Sequence, residues 1–265
     1  MTKKTNLIQT FNYLVAGRQR TGKTSASLVL IGLLQYMAYK FGKPKRVLIF
    51  NPDNQNPVFE SKSLINDEIR HGFPDWKFPA KLRKIQHKDI VRVANEKDNL
   101  YDWCVISDCT LEEFSNEAVK LRDCIIYFDD MNNIITGNIS GKRYESTLEI
   151  FAGNRKRGNE TIITYHTYAQ VPNKLWTYFQ RAIIKETDDD NEDFKKIKKA
   201  KAVLIEAQKQ VRAENKLKKN PDDLDFAERI VWLNEQYLFN QQGNNLVCKI
   251  GQKYYKAVGD KIEAL

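Results

Sequence analysis

Short apolar runs alternate with longer amphipathic stretches along the first two thirds of the chain. The runs are rich in β-branched and aromatic residues, as buried strands are. We predict six strands, at Phe11–Ala16, Arg46–Asn51, Trp103–Ser107, Cys124–Asp129, Thr161–His166 and Ala182–Lys185. The apolar spacing between them predicts four helices, at Lys23–Phe41, Leu111–Leu121, Tyr144–Arg157 and Asn173–Phe179. This alternation predicts an α/β fold, with a mainly parallel sheet flanked by helices.

The pattern changes after Thr187. An acidic cluster at 188–190 leads into Glu192–Asn220, a stretch without Gly or Pro that predicts one extended helix. The apolar side of that helix is formed by Phe194, Ile197, Val203, Leu204 and Val211. The segment Tyr237–Val258 alternates apolar and polar residues around two glycines, which predicts hairpin strands. We therefore expect an α/β core at 1–187 and a helical and hairpin appendage at 188–265.

Charge adds one indication about partners. The 265 residues carry a formal net charge of +9, which favours a polyanionic partner. Residues 191–220 contain ten Lys or Arg and four Asp or Glu, so +6 of that excess lies in the predicted long helix. Two interpretations remain open for this helix, a solvated amphipathic surface and a contact with nucleic acid.

Several site classes are disfavoured by the residue pattern. The cysteines Cys104, Cys109, Cys124 and Cys248 lack paired metal-site spacing, so we expect them to be reduced and intracellular. His71 and His87 have no metal-ligating neighbours at a useful sequence spacing. We expect no signal peptide and no stable membrane insertion, because the most apolar stretch, Ser25–Phe41, is interrupted by polar residues and follows a phosphate-binding motif.

That motif is Gly17-x-x-x-x-Gly22-Lys23-Thr24, between an apolar strand and a helix. The glycines let successive backbone N–H groups face a triphosphate, and the helix N-terminus attracts its charge. Lys23 would contact the β- and γ-phosphates, and the Thr24 hydroxyl would bind Mg²⁺. The sequence thus predicts ATP and Mg²⁺ as cofactors, held by residues Gly17, Arg18, Gln19, Arg20, Thr21, Gly22, Lys23, Thr24 and Ser25.

A second motif, the strand CIIYF followed by Asp129 and Asp130, places two carboxylates where such an enzyme handles metal and water. We assign Asp129 to the Mg²⁺ shell with Thr24, and Asp130 to polarising the attacking water. Further along, the basic helix end at 154–157 runs through Gly158 into a β-branched strand with a polar tip. If that strand neighbours the Asp129 strand, His166 or Thr167 would face the γ-phosphate.

The run RKRGNETIITYHTYAQVPNKLW resembles the arginine–glycine–strand–glutamine–proline segment of FtsK/HerA-type DNA-translocating ATPases. That family includes viral genome-packaging ATPases and zonula occludens toxin-like phage proteins. With the two motifs above, the resemblance covers roughly residues 11–187 and implies a P-loop NTPase fold of the RecA/FtsK type. His166 falls at the family's sensor glutamine, with Gln170 as an alternative, and Arg155 at an arginine that reaches a neighbour's nucleotide site. Arg157 is the second candidate for that role, and Asp130 stands where many members have glutamate.

The resemblance implies a homo-oligomeric ring, commonly hexameric, with nucleic acid in its pore. We therefore expect an ATP-driven DNA translocase, foremost a viral genome-packaging ATPase. Double-stranded DNA is favoured as substrate, capsid or portal proteins are candidate partners, and the location would be host cytoplasm or virion. The alternatives are a toxin-like DNA-export ATPase, a small-molecule or nucleoside kinase, and a nucleotide-dependent scaffold or switch.

Arg18 and Arg20 in the loop are further candidates for a charge that acts within the same subunit.

Overall fold

The computed structural model describes residues 10–54, 56–65, 81–137, 139, 141–197, 199–218, 226–233, 237–240, 247–250, 253–258 and 261–264, and from 237 onward it describes the backbone alone. In these ranges the chain builds one large sheet with helices on both faces, and a separate three-stranded sheet.

The large sheet has nine strands in the order β3-β4-β2-β5-β6-β1-β7-β8-β9. The first seven strands in this order are parallel to one another. Strand β8 pairs antiparallel with β7, and β9 pairs antiparallel with β8. Their bounds are β1 Asn12–Ala16, β2 Arg46–Phe50, β3 Leu82–Lys84, β4 Trp103–Ile106, β5 Cys124–Phe128, β6 Glu160–Tyr165, β7 Arg181–Ile184, β8 Arg229–Trp232 and β9 Tyr237–Asn240. The small antiparallel sheet consists of β10 Val247–Ile250, β11 Lys253–Val258 and β12 Lys261–Ala264.

Helices cover the two faces of the large sheet, so its central strands β1, β2, β5 and β6 are buried on both sides. They are α1 Lys23–Lys40, α2 Ile90–Ala94, α3 Leu111–Ala118, α4 Glu145–Arg157, α5 Asn173–Trp176, α6 Asn191–Lys196 and α7 Lys201–Leu217. Side chains alternate along β1: Tyr13 and Val15 pack in a core with α1, whereas Leu14 and Ala16 share a core with α3, α4 and α7. The loops at the carboxyl ends of the parallel strands therefore emerge between the two layers of helices that cover the sheet.

All six predicted strands and four predicted helices are confirmed, with ends that differ by at most three residues. The prediction omitted β3, which has only three residues, and β8, which lies antiparallel at the far side of the sheet. Neither has a long apolar run, so their pairing partners decide them rather than their local sequence.

The single helix predicted at Glu192–Asn220 is wrong. The chain forms α6 and α7 instead, with Ile197 in an extended conformation and Ala200 at φ 53° between them. Ile197 is buried with Phe194, whose ring lies 5.4 Å from that of Tyr168. A straight helix would carry these apolar side chains away from that core, and their burial offsets the broken helical hydrogen bonds.

The predicted apolar side is buried at Phe194, Ile197, Leu204 and Val211, and half-buried at Val203. The predicted hairpin is confirmed for β10 and β11, whereas β9 pairs with β8. Because β8 pairs with β7, residues from both sides of position 187 contribute to one sheet. Within the described ranges, no helix combines the length and the apolar character that crossing a bilayer requires.

Candidate nucleotide-binding site

Sheet order brings the two sequence motifs together. Strand β6 lies directly between β1, which leads into the glycine loop, and β5, which leads into Asp129 and Asp130. All three strands are parallel, so their carboxyl ends reach the same edge of the sheet. His166, the residue after β6, therefore emerges between the loop and the acids, and the condition set for it, that its strand neighbours the Asp129 strand, is met.

The start of the glycine loop is fixed to the strands on both sides. The Gly17 N–H donates to the Tyr165 carbonyl at 3.1 Å, and the Arg18 N–H to that of Glu186 at 2.7 Å. A Cβ on residue 17 would lie 2.6 Å from Thr21 Oγ1 and 2.7 Å from Lys185 Cβ. Such contacts are too short for any side chain, so this position requires glycine.

The rest of the loop leaves backbone donors open. Gly22 adopts φ 74° and begins α1, and no backbone carbonyl in the described ranges accepts from the amides of Gln19, Arg20, Thr21 or Gly22. The Thr21 hydroxyl and the Lys23 ammonium both donate to the Arg18 carbonyl, at 2.8 and 3.0 Å. Open amides at a helix N-terminus, beside a lysine, form a site suited to phosphate oxygens.

The predicted metal ligands face each other across one amide group. Asn56 Nδ2 donates to Thr24 Oγ1 at 3.2 Å and to Asp129 Oδ2 at 3.0 Å. The carboxyl of Asp129 is 3% exposed, and its other oxygen accepts from the Tyr127 hydroxyl at 2.5 Å. Burial raises the pKa of Asp129, although the bonds from Tyr127 and Asn56 lower it. A hydroxyl and a carboxylate oxygen within reach of one point fit Mg²⁺, which prefers oxygen ligands.

Asp130 and His166 contact each other. His166 Nε2 lies 3.4 Å from Asp130 Oδ1, and the side chain of Asn132 donates to the same carboxylate oxygen. The Oδ1 of Asn132 accepts from the His166 backbone N–H at 2.5 Å. Asn132 therefore ties the loop after β5 to the tip of β6 and holds the two predicted catalytic groups side by side.

The backbone of Asp130 is also constrained. Its φ of 47° lies in the left-handed region, and its N–H donates to Thr164 Oγ1 at 2.7 Å. Burial raises the pKa of the Asp130 carboxyl. The hydrogen bond and charge of His166, together with the charge of Lys23, lower that pKa by more, so the net pKa is below the ordinary value. A carboxylate with a lowered pKa is a weak proton acceptor and a good acceptor of hydrogen bonds from water.

Arg155 and Arg157 lie at the opposite edge of the sheet, because α4 ends where β6 begins. The six residues of β6 span about 20 Å. The Arg157 guanidinium folds back onto its own helix, where it donates to the carbonyl and the carboxylate of Glu149, in the space left by Gly153. The side chain of Arg155 is exposed, and in the described ranges its guanidinium makes no hydrogen bond or ion pair. Of the two, Arg155 is the one that is available to another molecule.

The remaining candidates differ in their surroundings. Arg18 pairs with Glu186 at 3.2 Å and with Asp188 at 3.8 Å, which holds its charge on the β7 side of the loop. Arg20 is exposed. Gln170 is exposed in the turn after β6 and makes no hydrogen bond to Asp130, so His166 rather than Gln170 contacts the acid.

Sequence reasoning missed Asn56, Asn132 and Tyr127. Asn56 follows β2, and its backbone exchanges hydrogen bonds with the Asn51 side chain, at 3.2 and 3.3 Å. The sequence indicates two of these three residues. Asn132 comes two residues after the acid pair, and the Tyr127 hydroxyl, in an otherwise apolar strand, needs a hydrogen-bond partner. Asn56 lies 73 residues from Asp129, and nothing local links the two.

Comparisons with known proteins agree with the fold. No protein-family model matches the chain, and neither does any curated protein. The genome packaging NTPase B204 from Sulfolobus turreted icosahedral virus 2, in complex with ATP-gammaS, is similar at TM-score 0.55 and 14% identity, over 88% of this chain and 97% of that one. Its AMPPCP complex matches at TM-score 0.54 and 14% identity, over 88% and 98%. The N-terminal domain of zonular occludens toxin from Neisseria meningitidis matches at TM-score 0.41 and 10% identity, over 68% of this chain and 78% of that one.

At these identities the similarity is one of fold. The chain has an α/β P-loop NTPase fold, which it shares with that genome packaging NTPase.

Proposed function

We propose that this protein is an Mg²⁺-dependent ATP hydrolase that translocates DNA, and that it packages a viral genome. The observation that carries the proposal is the convergence of the glycine loop, Asp129, Asp130 and His166 at one sheet edge, with Arg155 at the other. The fold shared with a genome packaging NTPase solved with ATP analogues supports the same assignment.

The chain's own residues would perform phosphoryl transfer by positioning and charge. Thr24 and Asp129 would hold Mg²⁺, which neutralises phosphate charge when bound. Lys23 and the open amides of the loop would bind the β- and γ-phosphates. Asp130, oriented by His166 and Asn132, would accept a hydrogen bond from the attacking water and align it. Its lowered pKa favours alignment over removal of a proton.

Arg155 would complete the site of a neighbouring subunit. It lies about one strand length from its own loop, roughly 20 Å, which is beyond the reach of an arginine side chain. A homo-oligomeric ring, with six subunits as the family resemblance implies, would bring it to an adjacent loop. Hydrolysis would then require assembly.

The net charge of +9 supports DNA as the polyanion moved, with double-stranded DNA favoured. Capsid or portal proteins are the proposed docking partners, in host cytoplasm or at the virion.

The test is ATP hydrolysis by the purified protein, with and without double-stranded DNA, at two salt concentrations and several protein concentrations. A translocating ring predicts turnover that rises with DNA, weakens with salt and depends steeply on protein concentration. Equal turnover without DNA at every concentration would contradict the proposal and favour the kinase. Nucleotide binding without hydrolysis in any condition would favour the switch. Single-stranded DNA in parallel tests the choice of substrate.

A further inference from the structure

A second cluster of metal-ligating side chains lies apart from the nucleotide site. His87, Asp108 and Cys109 each offer a ligand atom, and these atoms all lie within 4.8 Å of one another. Strand register explains the meeting: β3 pairs with β4 as Leu82↔Trp103, Arg83↔Cys104 and Lys84↔Val105, and Ile85 still bonds to Val105. His87 and Asp108 each follow the carboxyl end of one of these neighbouring parallel strands, by three and two residues. Sequence spacing alone does not show this cluster, because His87 and Asp108 are brought together by the pairing of β3 with β4.

The cluster has unused ligand capacity. In the described ranges, no hydrogen bond joins the three side chains to one another, and the Nδ1 of His87 is shielded from solvent without a partner. A buried ring nitrogen without a partner is unfavourable, and a bound cation supplies one. The carboxylate of Glu113, which caps the following helix with Thr110, adds negative charge beside His87.

We propose that His87, Asp108 and Cys109 form a zinc site at the outer end of the sheet. Nitrogen, oxygen and sulfur donors together suit Zn²⁺ rather than Mg²⁺, which takes oxygen ligands. Around bound Zn²⁺ such donors lie about 3.5 Å apart, so the two loops that carry them would close by roughly an ångström. Three protein ligands leave a fourth position for water or another donor.

The zinc would stabilise the outermost strand of the sheet, β3, against its neighbour β4. His87 follows β3, the three-residue edge strand, whereas Asp108 and Cys109 lie between β4 and α3. A link between the two loops would hold β3 against β4 and support the α3 cap. The site and Asp129 both lie at the carboxyl ends of the parallel strands. They are two strand spacings apart, about 10 Å, because β2 stands between β4 and β5.

The probes are ZnCl₂ and CoCl₂ added to the full-length protein in the Asp129→Asn background, which removes the oxygen ligand of the nucleotide site. We expect one equivalent of metal per chain, a Co²⁺–thiolate charge-transfer band, and a rise in melting temperature with Zn²⁺. His87→Gln and Cys109→Ser should each weaken binding about tenfold or more, and Cys109→Ser should abolish the band.

Cys104→Ala is the matched control, because Cys104 is a free thiol buried in β4 outside the cluster. It should keep the band and the zinc-induced rise, whatever its own stability. Asp108→Asn tests the oxygen donor with almost no change in volume. A thiolate band that is lost in Cys104→Ala but kept in Cys109→Ser would overturn the proposal. Metal binding that is equal in all variants, or no binding in the parent, would do the same.

Discussion

Polar groups at the carboxyl edge of the central sheet, where the parallel strands end, differ in exposure from those at its amino edge, where the strands begin. At the carboxyl edge, the Asp130 and His166 pair stays partly open, with side chains that are 41% and 23% exposed. At the amino edge, Lys45 and Glu160 form an ion pair at 3.3 Å in which the side chains are 5% and 3% exposed. Arg181 nearby lies 3.7 Å from the ring centre of Phe11.

The difference separates chemistry from stability. Groups that bind a ligand need unused hydrogen-bonding capacity, whereas buried charges need full pairing. Glu160 uses its second oxygen to accept from the Phe11 N–H at 2.8 Å, so the ion pair also fixes the start of β1. Two cations at this edge depart from full pairing. Arg181 lies over aromatic rings, and its terminal guanidinium nitrogens have no hydrogen-bond partner in the described ranges. Arg155 is exposed to solvent. The following changes test this division, from the largest expected effect to the smallest.

Lys23→Ala should reduce ATP turnover to background, at least about a thousandfold, because the charge on the transferred phosphate is lost. The free energy of unfolding should change by less than about 0.5 kcal/mol. Kinetics and chemical denaturation measure the two effects, with Lys43→Ala, an exposed lysine beyond the far end of α1, as control. A large loss of stability in Lys23→Ala would break the separation of the two edges.

Arg155→Ala should reduce turnover of the assembled protein about a thousandfold while ATP affinity stays unchanged, since the arginine is proposed to act on a neighbour. Lys156→Ala is the control. The sharper test mixes two inactive variants, Lys23→Ala and Arg155→Ala. In mixed assemblies, the intact Arg155 of the first should restore hydrolysis at the intact loop of the second. Absence of recovery, or loss of ATP binding in Arg155→Ala, would exclude action between subunits.

Lys45→Met should lower the free energy of unfolding by about 3 kcal/mol, because it leaves Glu160 buried without its cation. The double variant Lys45→Met, Glu160→Gln should recover most of that loss. Burial raises the pKa of Glu160. The folded protein of the single variant therefore takes up a proton more readily than the unfolded chain, and the loss should shrink as pH falls through the raised pKa of Glu160. A loss that grows at acid pH would contradict this account.

Asn56→Ala should raise the Mg²⁺ concentration for half-maximal turnover about tenfold, because Asn56 orients both Thr24 and Asp129. Magnesium titrations at saturating ATP measure it, and Asn133→Ala, an exposed residue near Asp130, serves as control. Tighter Mg²⁺ binding would instead mean that the Asn56 amide competes with the ion.

His166→Gln should move the acid limb of the pH–rate profile upward by less than about one pH unit. His166 lowers the pKa of Asp130 through a hydrogen bond and charge, and glutamine keeps only the bond. Since turnover requires ionised Asp130, activity should be lost at a higher pH in the variant. A profile that does not move would show that Asp130 does not set the acid limb.

Sequence reasoning recovered what local pattern encodes. The strand before Gly17 and the helix after it could be predicted because apolar period and glycine spacing are both local. Asn56 and the division at Ile197 could not, because each depends on contacts between distant segments. The same limit applies to Arg157: its basic helix end was visible, but the fold-back onto Glu149 that sets it apart from Arg155 depends on Gly153 leaving space.

Strand β6 is a fixed-length spacer, with α4 and Arg155 before its first residue and His166 after its last. Side chains alternate along a strand, so one inserted residue would turn the tip of β6 away from Asp130 and shift the helix end at the other side. Shortening it would do equal damage. Loops elsewhere tolerate insertions and deletions, but the interval from Arg155 to His166 can change only by substitution. In any divergent relative with the same division of labour, we expect that interval to keep its length of twelve residues, counted inclusively, while identity around it disappears.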